Sequence, residues 1–119
     1  MLIRRTNTIL YCRQWQETVH FYRDLLGLPA HFLKDWFVEF RVTDDSFVSV
    51  VDAARATFAD SGGPALTISW QVDDLSLAHR LLTEKGIEAG PIQKKWGARL
   101  FYLFDPEGHR LEIWSDKAR

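Results

Sequence analysis

A single cysteine, Cys12, stands in the 119 residues, so no internal disulfide is available and a reducing cytoplasm is the expected compartment. No apolar run approaches the roughly 18 residues needed to span a bilayer. The first residues, Met-Leu-Ile-Arg-Arg-Thr-Asn-Thr, lack the longer apolar segment and small-residue cleavage site of a signal peptide. A membrane partner is therefore not expected. Excess charge is also missing: 15 Lys and Arg against 16 Asp and Glu give a net charge of -1, and without a positive surplus the counterion-release drive for nucleic-acid binding is absent. No Gly-x-Ser-x-Gly elbow, glycine-rich phosphate loop, HxH or HExxH spacing occurs, which argues against covalent catalysis and against a helix-borne metal pair.

What is present is a globular balance of 46% hydrophobic and 26% charged residues, enough to bury a core in one domain. The 16 aromatics, five of them Trp, exceed what so small a core needs, and some are expected to line a pocket. Residues 7 to 13 alternate as a strand, with Thr8, Leu10 and Cys12 on one side and Asn7, Ile9 and Tyr11 on the other. From Trp15 to Leu26 the apolar spacing is helical, and Gly27 takes the C-terminal cap. Strands are predicted near 29–33, 36–42 and 47–51.

The stretch Asp60-Ser-Gly-Gly-Pro64 reads as a linker, after which the same order returns. A strand at 66–72 precedes Asp74 as N-cap, a helix carrying Leu75, Ala78, Leu81 and Leu82, and Gly86 as its stop. Strands then follow near 87–92, 98–104 and 109–115. The closing glycines, Gly27 and Gly86, lie 59 residues apart, about half the chain, and that offset also superposes His20 on His79 and Ala30 on Ala89. The expected fold class is α+β, a single domain of two βαβββ modules: about 1–59, a linker at 60–64, and 65–119. Such modules are expected to form one curved mixed sheet with helices outside and a concave cleft within.

Two segments carry a resemblance. Thr18-Val-His-Phe-Tyr-Arg-Asp-Leu-Leu-Gly-Leu28 and Phe104-Asp-Pro-Glu-Gly-His-Arg-Leu-Glu-Ile-Trp114 resemble the first-helix signature and last hairpin of the vicinal oxygen chelate superfamily. That group includes glyoxalase I, extradiol dioxygenases and the bleomycin and fosfomycin resistance proteins. In its metal-using members four strands supply His, Gln and Glu ligands to the cleft. The resemblance places those positions at Asn7, at Val48 (at Ser49 or Asp52 if the register slips), at Thr67 and at Glu112. Asn and Thr are poor donors for zinc, nickel or iron, so neither metal nor other cofactor is expected.

Strand parity places Arg110, Glu112 and Trp114 on one face, and Thr67, Ser69 and Gln71 on the matching face of the fifth strand. Lys94-Lys-Trp-Gly-Ala-Arg-Leu-Phe101 resembles the Trp-Gly-x-Arg entry to the seventh strand of bleomycin-resistance-like members, which implies that Trp96 borders the cleft. The candidate ligand-binding set is Asn7, Tyr11, Thr67, Ser69, Trp96, Arg99, Glu112 and Trp114. Bland roles stand beside it: Glu112 paired with Arg110 or Arg13, Trp96 capping the sheet, Arg99 paired with Glu112 or Asp105. The histidines, His20, His31, His79 and His109, read as surface or structural residues.

These residues favour a metal-free protein holding an aromatic or charged organic ligand. The alternatives are a divalent-metal enzyme of the glyoxalase or dioxygenase type, with Glu112 and Asp52 among its ligands, and a metal-free enzyme using Glu112 as general base. Whether any reaction is catalysed is left open. The resemblance also implies a homodimer, for which apolar surface on Trp36, Phe37 and Phe40 is the expected sign.

Overall fold

Alternation and helical spacing condense into two compact units, residues 1–63 and 64–119. The computed structural model describes residues 2–55, 66–95 and 97–116; the segment 60–64 expected as a linker lies outside them. In the first unit β1 (Thr6–Cys12) leads into α1 (Trp15–His20), which widens into a π-helical turn over Phe21–Leu25. Three strands follow: β2 (Ala30–Lys34), β3 (Phe37–Thr43) and β4 (Ser46–Asp52). The second unit repeats the order with β5 (Thr67–Gln71), α2 (Leu75–Glu84), β6 (Gln93–Lys95), β7 (Ala98–Phe104) and β8 (Arg110–Asp116). The strand orders are β1-β4-β3-β2 and β5-β8-β7-β6, so both units are βαβββ and the chain is α+β.

In each unit the first strand runs parallel to the last, with the other pairs antiparallel. A parallel pair needs a crossover, and here the helix provides it. The helix then covers one sheet face. In the first unit that face carries Leu10, Val38, Phe40, Val48 and Val50, each at most 2% exposed, and Tyr22 meets Phe40 with ring centroids 6.1 Å apart. Phe40 is thus core rather than the apolar surface expected for a dimer contact, because its β3 parity turns it toward the helix. In the second unit His79 of α2 meets Phe101 edge-on at 4.8 Å, and Phe101, Leu103, Leu111 and Ile113 form the buried face.

Asp74 caps α2 by accepting a hydrogen bond from the Leu77 N–H at 3.0 Å, and Gly27 and Gly86 end the two helical segments at φ of 74° and 89°. The strand expected at 87–92 is absent. Gly90 donates to Tyr102 O at 2.8 Å, but Pro91 has no N–H to continue a ladder, and the Gly90 carbonyl is taken by His79 Nε2 at 2.9 Å. Pairing with β7 therefore starts only at Gln93. At the last hairpin Asp105 accepts from the backbone N–H groups of Glu107 and His109 and from His109 Nδ1 at 2.7 Å. His109 is a turn-forming residue, as expected.

Asp74→Ala should lower stability by about 1 kcal/mol, the usual loss for removing an N-cap, while Asp74→Asn should cost much less. Chemical denaturation of the two variants beside the parent checks this.

Candidate functional site

Within its own unit each helix covers only one sheet face, and strand register decides which side chains share the other, here termed the open face although its central residues in the first unit are buried. In the first unit Asn7, Ile9 and Tyr11 of β1 pair with Phe47, Ser49 and Val51 of β4, and these pair in turn with Arg41, Glu39 and Phe37 of β3. Asn7 and Tyr11 therefore lie on the open face, as parity predicted. Val48 does not. It is 2% exposed on the helix-side face, and the β4 residue that meets Asn7 is Ser49, whose hydroxyl donates to Asn7 Oδ1 at 2.9 Å.

Glu39 is the centre of this face and was not expected from the sequence. Its side chain accepts from Arg5 at 3.1 Å, from His31 Nδ1 at 2.7 Å and from Asn7 Nδ2 at 3.2 Å, while the residue is 8% exposed. Burial alone would push this carboxyl up. The hydrogen bonds from His31 and Arg5, with the Arg5 charge, outweigh that and hold it below the ordinary glutamate range. A lone carboxylate in the apolar run Phe37-Val-Glu-Phe40 was the available signal, because strand alternation buries such a group only when partners are present.

In the second unit Thr67, Ser69 and Gln71 of β5 stand beside Arg110, Glu112 and Trp114 of β8. Ser69 donates to Glu112 Oε1 at 2.7 Å, and Arg110 Nε donates to Thr67 Oγ1 at 3.0 Å. The structure thus brings together Thr67, Ser69, Glu112 and Trp114, and Glu112 takes Ser69 rather than Arg110 or Arg13 as its hydrogen-bond donor. Arg99 is not among them. It pairs with Ser115 in register and shares its side of β7 with Phe101 and Leu103, so alternation sends it to the face opposite Glu112. Trp96 lies outside the described residues.

The β7 residue that does face Glu112 is Tyr102, which the sequence reading missed. The Arg110 guanidinium lies 4.4 Å from its ring centroid and Lys95 Nζ 5.4 Å. Tyr102, Arg110 and Glu112 present an aromatic face, a fixed cation and a carboxylate within one patch, a combination suited to stacking and orienting a polar aromatic compound.

A divalent ion fits these residues poorly. In the first unit Asn7 and Ser49 satisfy one another and the Glu39 carboxylate is taken up by Arg5, His31 and Asn7; in the second Thr67 holds a guanidinium beside Glu112. Among the described residues no three His, Cys, Asp or Glu side chains gather as a metal site would require.

Because the carboxyl of Glu39 is held below its ordinary value, its contribution to stability is complete above the unfolded glutamate range and is lost as pH falls through the lower, folded-state value. Thermal melts from pH 7 downward should show this acid-side loss in the parent. A Glu39→Gln variant should be less stable at pH 7 and have a shallower acid limb.

The model of the Glyoxalase/Bleomycin resistance protein/Dioxygenase superfamily matches residues 4–113. The uncharacterized protein YraH of Bacillus subtilis (strain 168) is 27% identical over 120 residues, covering 89% of this chain and 93% of that protein. Among solved structures, a glyoxalase/bleomycin resistance protein/dioxygenase from Nocardioides superposes with a TM-score of 0.80 at 21% identity, over 99% of this chain and 85% of its own. Lactoylglutathione lyase from Agrobacterium tumefaciens does so with a TM-score of 0.76 at 20% identity, over 92% and 91% of the two chains. At these identities the two structures speak for the fold alone. The repeated βαβββ order, the positive-φ glycine that ends each helix and the match across nearly the whole sequence lead to one conclusion: this chain belongs to the glyoxalase/bleomycin resistance protein/dioxygenase superfamily.

Proposed function

We propose that this chain is a small-molecule-binding member of its superfamily, with no resident metal, that holds an aromatic or charged organic ligand through the open faces of its sheets. The observation that carries this reading is the bond from Arg110 Nε to Thr67 Oγ1. It sets a permanent cation on one of the positions where metal-using members place a ligand, and a guanidinium there opposes a divalent ion through like-charge repulsion. The same guanidinium favours an anion. Tyr102 supplies the stacking face, Glu112 with Ser69 the polar contact, and Trp114 an apolar border.

Asn7 and Tyr11 of the first unit belong to this reading as parity-matched open-face residues, and Trp96 belongs to it by sequence resemblance only. Arg99 leaves the set. The reading also includes a homodimer in the cytoplasm. Support for the dimer comes from β2, which is an edge strand with no partner on its outer side among the described residues and carries Leu33 at 61% exposure.

Elemental analysis of protein purified without chelator, with thermal melts in EDTA, tests the metal question. The expected outcome is no stoichiometric transition metal and an unchanged melting temperature; one tightly bound ion per chain, with a melting temperature that falls in EDTA, would instead establish the divalent-metal enzyme. A panel of aromatic carboxylates and aromatic amines, read by tryptophan fluorescence, tests the ligand class. Carboxylates should bind in preference to amines, and Arg110→Ala should weaken them by about tenfold, the loss expected for one charge-assisted hydrogen bond. Sedimentation at micromolar concentration should show a dimer of the 13.8 kDa chain.

A further inference from the structure

His31 and Phe32, neighbours on β2, share one face that strict alternation would give to only one of them. The β2–β3 register shifts between Ala30 and Phe32: Ala30 stands opposite Phe40, yet Phe32 stands opposite Glu39. This bulge lets His31 and Phe32, adjacent in sequence, both serve the Glu39 face, since His31 Nδ1 lies 2.7 Å from Glu39 Oε1. Bulges commonly re-aim a side chain beside a functional site.

The chemistry of the pair follows from the carboxylate. An ionised carboxylate only accepts, so Nδ1 of His31 must be the donor, and a neutral imidazole then carries its lone pair on Nε2. That nitrogen has no hydrogen-bond partner among the described residues, and the His31 side chain is 42% exposed while that of Glu39 is 11% exposed. A buried anion thus orients an accessible base. Its surroundings are largely apolar: the Phe47 ring lies 5.1 Å from the imidazole, and Ile9 and Phe32, 44% and 50% exposed, flank Ser49 and Glu39 in one cross-strand row. The charged groups nearby among the described residues include Glu39 itself, Arg5, stacked 3.9 Å from the Phe47 centroid, Arg41, 5.8 Å from it, and Lys34, 5.9 Å from the Phe32 centroid.

We propose that Nε2 of His31 is a ligand-contacting proton acceptor, and that the compound it meets is a small aromatic or enolic molecule bearing an ionisable hydroxyl. This rests on the ligand-binding reading and extends it to a ligand class and to a residue outside the expected set. On transfer the ligand O–H bond breaks, its electron pair stays on oxygen, and the proton forms the Nε2–H bond. The imidazolium so made lies against the Glu39 anion, and Arg5 leaves positive charge on the face where the phenolate or enolate forms. No oxidant, metal or further reactant is needed.

The full-length protein with 15N-labelled imidazoles, at neutral pH, tests this with 4-hydroxyacetophenone as the probe, because its ionisation moves its absorption to longer wavelength. His31 should appear as the Nδ1–H tautomer, its Nε2 resonance should move toward the imidazolium position on titration, and bound probe should absorb as phenolate. His31→Gln should abolish the absorption shift and weaken the probe by about tenfold. Glu39→Gln should lose the tautomer preference while His31 remains present. An Nε2–H tautomer in the parent, a phenolate shift that survives His31→Gln, or no response to the probe would each overturn the inference. Binding confined to the Glu112 patch would overturn it too and leave the ligand-binding reading standing, whereas failure of the separate panel of carboxylates and amines removes that reading itself.

Discussion

Each unit depends on one pairing: its first strand lies parallel to its last, β1 with β4 and β5 with β8. Parallel neighbours cannot be joined by a tight turn, so the chain must leave the sheet between them. It leaves through a helix, and the helix docks on one face. That single requirement separates the two sides of each sheet, putting Leu10, Phe40, Val48 and Val50, or Phe101, Leu103, Leu111 and Ile113, under the helix and leaving the other side for polar and aromatic side chains.

The duplicated scaffold carries different chemistry on its two open faces. In the second unit the carboxylate is on β8, where Glu112 takes a bond from Ser69. In the first unit the corresponding β4 position holds Ser49, and the carboxylate sits one strand over on β3, as Glu39. The shift changes its company. Glu112 keeps a neutral hydroxyl and a nearby tyrosine, whereas Glu39 is surrounded by Arg5, His31 and Asn7, donors enough to keep it ionised although buried. At Asn7 and Ser49 the hydrogen bonds are closed among side chains, and Thr67 holds a guanidinium. The family scaffold is intact while its two units carry different polar clusters on it.

Much of this was legible in the sequence because it is local. Helical spacing and the glycines at 27 and 86 fixed both helices, the repeat of the order fixed the fold class, and period-two alternation placed Asn7, Tyr11, Thr67, Ser69, Glu112 and Trp114 on open faces. Parity within a strand is a property of the backbone and needs no knowledge of neighbours.

What the sequence left undecided is set by pairing between strands. The Trp-Gly-x-Arg resemblance puts Arg99 in the same ligand-binding set as Glu112, but the β7–β8 register puts Tyr102 opposite Glu112. The expected strand at 87–92 gives way because Pro91 interrupts the donors that β7 would need. Glu39 and His31 are eight residues apart on different strands, and only the β2–β3 register, in which Ala30 stands opposite Phe40, sets them side by side for the 2.7 Å bond. Composition and periodicity determined which elements form and which way each side chain points within its own strand. Register and bulges, fixed by the packing of one strand against another, decided which of those side chains meet.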